Sequence, residues 1–337
     1  PNHMNSPLSY IDPTNVGMAS VIAGLTPVSM GGDSIAGTIN VESPEPLFGD
    51  SDSVSVQAAR ASTFYRSNGD GLSAAVSATL ANDKVSVRYA GSSAESDNYQ
   101  GGGNHGEVRS SEYKSLNHSV TLAARKDQHL VVLQANQQYT PYEGYPNQRM
   151  DMTNNRSSSV NGRYKGTYGW GQLDARAFWQ NVNHEMNFLD DKGGMATGGM
   201  PMNTSSDSGG YTLKASVALK NGDVVRVGNE LNLLRLDDWW PPVAGSAMMG
   251  PDTFMTINGG KRDRLGTFVE WDARWSEKWT SELGLRNDTI WMNTGDVQSY
   301  GCGMMCAADN AAAIAFNAAG HKRSFVNFDL TAVARYE

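Results

Sequence analysis

In the stretch from Phe178 to Asp191 (FWQNVNHEMNFLDD) an imidazole and a thioether stand two positions apart. On an extended chain residues i and i+2 face the same way, so His184 and Met186 project together and Glu185 points opposite. Met150 and Met152 repeat the spacing in Asn147-Gln148-Arg149-Met150-Asp151-Met152. A thioether is a soft donor that holds Cu(I) and offers little to Mg, Ca or Mn. An adjacent imidazole either joins the ligand set or orients it. Cys302-Gly303-Met304-Met305-Cys306 concentrates sulfur a second time, and its two cysteines are the only ones in the chain. They either close a small loop as a disulfide in an oxidising compartment or act as thiolates that capture copper with Met304 and Met305, His321 being a further candidate.

The elements that must position these groups read as strands. Tyr211, Leu213, Ala215, Val217 and Leu219 alternate with Thr212, Lys214, Ser216 and Lys220. Leu265 to Trp275 and Val326 to Tyr336 repeat the pattern, which is the signature of a sheet with one apolar face. About twelve such strands are expected, near 52–66, 70–81, 84–95, 114–125, 128–139, 157–166, 169–183, 209–220, 223–236, 263–276, 279–294 and 324–337. From the third strand on, short turns (Lys126-Asp127, Thr167-Tyr168, Asn221-Gly222, Glu277-Lys278) alternate with long segments at 96–113, 140–156, 184–208, 237–262 and 295–323. Outer-membrane barrels have this asymmetry, with tight turns on one side and long loops on the other. Tyr168, Trp170, Trp275 and Trp279 fall beside short turns, whereas Tyr139, Trp179, Trp239, Trp240 and Trp291 fall where strands meet long loops. Two aromatic girdles imply two membrane surfaces. The expected class is therefore all-β, a transmembrane antiparallel barrel spanning 48–337, behind a small Gly-interrupted unit at 1–47.

Composition agrees. Of 337 residues only 18% are charged and 36 are glycine, which suits many short strands. With 27 basic and 35 acidic side chains the formal charge is −8, so no basic field invites nucleic acid. No apolar run is long enough for a spanning helix. The opening Pro1-Asn2-His3-Met4 has no leader character, and the sequence reads as a segment of a longer chain. No G-x-S-x-G elbow, P-loop or H-E-x-x-H occurs, so neither an enzyme nor an organic cofactor is expected. Eleven of the 15 methionines lie in the five long segments, about a third of the chain. Methionine also serves as adaptable filler, but the clustering together with His-x-Met favours soft-metal handling. The acidic residues Glu185, Asp190, Asp191 and Asp207 read as a solvated charged loop.

Residues 15–46, NVGMASVIAGLTPVSMGGDSIAGTINVESPEP, resemble the last part of the plug of TonB-dependent outer-membrane receptors, most specifically in Gly31 to Val41. Plug then barrel accounts for the whole chain. That family's barrel has about 22 strands, so about twelve would be the first half, and an open sheet would leave two bare edges. Within the family the chain is most similar to the copper receptors. Their plug carries a Cys-x-x-x-Met motif whose Met matches Met4, the Cys falling just before Pro1. Their barrel His-x-Met matches His184-Glu185-Met186, and a further barrel methionine corresponds to Met150 or Met152. The resemblance implies copper as transported cargo shared between Met4 and the barrel, the TonB complex and outer-membrane lipid as partners, and the outer membrane of a Gram-negative bacterium as location. A siderophore receptor of the same superfamily, with basic and aromatic ligand contacts, is one alternative; a passive barrel or adhesin is another.

Overall fold

The computed structural model describes residues 6–31, 37–194 and 198–336. Two strands, β1 (Met18–Ala23) and β2 (Gly37–Glu42), pair antiparallel as a separate hairpin. Twelve more follow: β3 (Ser55–Arg66), β4 (Gly71–Ala81), β5 (Val85–Ser96), β6 (Tyr113–Lys126), β7 (His129–Glu143), β8 (Asp151–Tyr168), β9 (Gly171–Asn187), β10 (Met202–Ala218), β11 (Val224–Trp240), β12 (Phe254–Arg274), β13 (Trp279–Asn293) and β14 (Arg323–Tyr336). Each pairs antiparallel with its sequence neighbours, and β3 and β14 are the two edges of one unclosed sheet. All twelve expected strands are present, and the sheet is a partial barrel wall.

The two faces differ as a bilayer requires. Leu173, Ala215, Val227, Val269, Leu285 and Leu330 are successive cross-strand partners from β9 to β14, and Val227, Val269, Leu285 and Leu330 stand exposed on the convex side. An apolar band of that extent is a liability in water and the required surface in lipid. One residue along, the partners Asp174, Lys214, Gly228, Phe268, Arg286 and Asp329 face the concave side. There Arg163 pairs with Asp174 at 2.6 Å, Arg264 with Glu230 at 2.7 Å and Arg286 with Asp288 at 2.6 Å. Charges taken out of bulk water persist when paired. Trp170, Trp275 and Trp279 are exposed beside short turns, and Tyr168 stacks on Trp170 with ring centroids 5.4 Å apart. The turn between β8 and β9 is Gly169-Trp170, two residues later than the sequence reading placed it.

Strand ends at the long-loop side run further than alternation suggested. β8 begins at Asp151, β9 continues to Asn187, β10 begins at Met202 and β12 at Phe254. Met152, Met186, Met202 and Met255 therefore sit in strands, correcting their assignment to loops. The segment 295–323 also contains an α-helix, α1 (Ala307–Asn317), which follows from six alanines in eleven residues, the residue with the highest helix propensity.

The N-terminal stretch lies against the concave face. A single 3-10 turn, Val28–Met30, is seated on β12 and β13. The Ser29 amide and hydroxyl donate to the Glu270 carboxylate at 3.2 and 3.1 Å, and Arg286 Nη1 donates to the Val28 carbonyl at 3.2 Å. Gly284 forms the floor of the seat, because a Cβ there would come within 2.6 Å of Val28 Cγ2. Elsewhere Ser92 donates to Asp12 at 3.0 Å and Lys165 pairs with Glu45 at 3.1 Å. Gly284→Ala is expected to unseat the turn at a cost of about 1–3 kcal/mol. Hydrogen exchange at the Ser29 amide should accelerate at least tenfold while β12 and β13 stay protected; unchanged exchange at Ser29 would rule out this seat.

Candidate metal centre

The site is made by register. Met186 of β9 lies directly opposite Met152 of β8 on one side and Met202 of β10 on the other. Three thioethers thus stand in a row across three strands, where facing Cβ atoms are about 5 Å apart. Each is buried, with 2% of Met152, 3% of Met186 and 2% of Met202 exposed. Met150 packs on Met186 and Met202, with Tyr145, Phe188, Met200 and Trp240 around them. Trp240 is therefore an inward packing residue, not part of a girdle. Below this level the wall is apolar outside and polar inside; here the order is reversed. Asn181, Asn183 and Glu185 of β9 face out, and Val182, His184 and Met186 face in and are buried. The reversal has a simple cause: past the lipid the outer face meets water while the inner face meets folded loops.

Met152 and Met186 line a cavity of 330 Å³ together with Glu143, Tyr145, Asn155, Ser6 and Ser9. Tyr145 hydrogen-bonds the Glu143 carboxylate, and burial first, then that carboxylate, pushes the Tyr145 hydroxyl well above its usual range. His184, 1% exposed, stands one step deeper. Its Nδ1 lies 3.3 Å from Asn155 Oδ1, an oxygen that only accepts, so Nδ1 carries the proton and the ring is held from that side. On the other flank Thr204 donates to Asp238 at 2.9 Å.

Two acidic residues fasten the loops over this end. The fully buried Asp151 accepts from the Tyr145 and Leu189 amides at 2.9 and 3.1 Å and pairs with Lys192 at 2.5 Å. Asp191 accepts from the Ser110 amide and the Asn98 side chain, each at 2.6 Å, and lies 3.4 Å from Arg109. Asp191 is thus a link between two loops, which corrects its reading as a solvated charge. The Ser110 amide, then Asn98, hold its carboxyl below the usual carboxylate range. A depressed folded value stabilises at every pH above the unfolded value, about 3.9, and the contribution is lost as pH falls through the lower folded value. Exchange of the Ser110 amide, corrected for the intrinsic rate, should be constant from pH 7 to 5 and rise only below about pH 4. A rise between pH 7 and 5 would contradict this link.

Of the residues the sequence singled out, Met152 and Met186 line the cavity and Met150 packs on their cluster. His184 lies behind Asn155, and Met4 lies outside the described residues. Met202 was missed as a partner, because Gly199-Met200-Pro201-Met202 carries no alternation to mark a strand start. The second sulfur cluster is elsewhere. Cys302 and Cys306 are joined as a disulfide, so they are not thiolate ligands here, and Met304 and Met305 are 96% and 59% exposed. His321 does not join them; its ring nitrogens face the Thr294 and Phe316 carbonyls at 3.0 and 2.9 Å. Among the described residues no three His, Cys, Asp or Glu side chains converge as a metal site, which leaves thioethers as the assembled donor set.

A twelve-stranded partial barrel, lipid-facing outside and ionic inside, with an N-terminal unit seated on its lumen face, is the fold of the TonB-dependent outer-membrane receptors. No family model and no curated protein matches the chain. Among solved structures it is similar to the copper transporter OprC, with a TM-score of 0.81 at 19% identity over 100% of this chain and 50% of that one. It is also similar to the FrpB iron transporter from Neisseria meningitidis (TM-score 0.71, 15% identity, 97% of this chain and 50% of that one). A third likeness is to the alcaligin outer-membrane receptor FauA from Bordetella pertussis (TM-score 0.64, 10% identity, 97% and 48%). The chain spans about half the length of these structures. Their named cargoes differ, so the fold alone does not choose one.

Proposed function

We propose that this chain is the cargo-binding part of a TonB-coupled outer-membrane receptor that captures copper, with residues 1–47 as the end of the plug and 48–337 as the first part of the barrel. The observation that carries the reading is the facing pair Met152 and Met186 on a cavity that Ser6 and Ser9 also line. Met4 precedes Ser6 by two residues, a reach of at most about 7 Å of chain. Sulfur from the plug and from the wall can therefore serve one ion, and occupancy would tie the two parts together. Thioethers select by softness: they bind Cu(I) and discriminate against Mg, Ca and Mn. His184 orients this end of β9 through Asn155 and is placed to tune the set. Uptake would then require the inner-membrane TonB complex to displace the plug, breaking contacts such as Ser29 with Glu270.

An iron-chelate receptor is the second reading, favoured by the likeness to FrpB and FauA. Such a ligand needs basic or aromatic contacts in place of sulfur. A larger cavity of 480 Å³ lies along the seam between residues 7–46 and β6 to β9, but its bases are already engaged, Arg163 with Glu42 at 3.6 Å and Lys165 with Glu45 at 3.1 Å. Met186→Leu, which keeps the volume and removes the sulfur, is expected to lower copper retained after desalting at least tenfold while folding and ferric-chelate binding are unaffected. Full copper retention in the variant would overturn the assignment of this site.

A further inference from the structure

We propose that Met202 is a third thioether ligand and that Met152, Met186 and Met202, balanced by Glu143, form a wall site for a soft monovalent cation of the Cu(I) or Ag(I) class. The inference deepens the copper reading and rests on it. The sequence resemblance offers Met186 and one earlier methionine from the barrel; the register adds a residue on a third strand.

Because Met186 is the central member of a row, with Met152 and Met202 as its two cross-strand partners, all three side chains leave the same face of the sheet. Each is buried at a level where the outer face has become polar; Met202 packs with Met186 and Met150, and Met152 stands beside Met186 on the cavity. A methionine side chain is flexible about three bonds, so sulfurs on neighbouring strands can close on one ion without moving backbone. Thioethers are neutral and contribute nothing to the charge balance. Among the described residues the cavity beside them has one carboxylate in its lining, Glu143, directly opposite Met152 in the β7–β8 ladder. Asp151, the other acid nearby, is committed to Lys192 and two amides. A monovalent ion with one carboxylate is neutral; a divalent ion would leave a buried net charge, which is costly in a poorly solvated site. Softness and charge therefore select the same class of ion. Packing alone could explain Met202, which touches Met150, Met186 and the surrounding aromatics, and the test must separate the two roles.

The test is titration of the intact protein in detergent micelles with Ag(I), and with Cu(I) under reducing, oxygen-free conditions, alongside Zn(II). X-ray absorption at the silver or copper edge then counts the bound sulfurs. The unmutated protein should bind one monovalent ion with four sulfur neighbours, three from the wall and one from Met4, and show no competition from Zn(II). Met202→Leu keeps the packing volume; it should lose one sulfur neighbour and weaken binding at least tenfold. Glu143→Gln should weaken binding with the sulfur count unchanged. An unmutated protein with fewer than four sulfurs, or a Met202→Leu variant with unaltered affinity and sulfur count, overturns the inference. If Met186→Leu alone abolishes binding, the copper reading survives and this inference falls; if the unmutated protein binds neither ion, both fall. The absorption count on unmutated protein keeps the result decisive should a variant misfold.

Discussion

The pairing of β8, β9 and β10 is the constraint on which the site depends. Side chains alternate with a period of two, so a slip of one residue in β9 would turn Met186 and His184 outward and bring Glu185 inside. Several features fix the register. The Gly169-Trp170 turn joins β8 to β9, and Gly171 follows at φ +147°, where a Cβ would come within 2.2 Å of the Ser216 carbonyl oxygen. Lower on the wall Leu173, Ala175, Ala177 and Trp179 must all face lipid, while Asp174 must reach Arg163. At the top, Asp151 ties the start of β8 to the segment after β9. Each alone tolerates change; together they leave one register.

The same wall has a different task at each height. In the lipid zone its outside is aliphatic and its inside carries paired arginines and carboxylates, a surface that receives the polar N-terminal stretch through individual hydrogen bonds such as Ser29 to Glu270. Bonds of this kind contribute roughly 1.5–3 kcal/mol each when one partner is charged, and they are replaceable by water. Above the lipid the outside becomes polar, and the inside brings buried thioethers together beside a cavity with polar walls.

How far the sequence disclosed this follows from where its alternation is sharp. In the lipid zone the apolar face is uninterrupted, and all twelve strands were legible there. At their upper ends the alternation inverts, so β8, β9, β10 and β12 were cut short and Met152, Met186 and Met202 were read as loop. The pair of His184 and Met186 was legible because its spacing is local; its pairing with Met202 was not, because it depends on a neighbour sixteen residues on. That Met152 and not Met150 stands directly opposite Met186 also needed the β8 register. The Cys302–Cys306 disulfide was one of two readings the spacing permitted. Helix α1 had a clear signal in its alanines, obscured by the expectation of loop.

The central claim is that buried wall thioethers, not the exposed sulfurs near the disulfide, hold the cargo. Anomalous scattering at the copper edge from a crystal of the loaded protein tests it most directly. The account expects one strong peak on the lumen side of β9, within bonding distance of the Met186 sulfur. A peak only at Met304 and Met305, or none along β8 to β10, would contradict it.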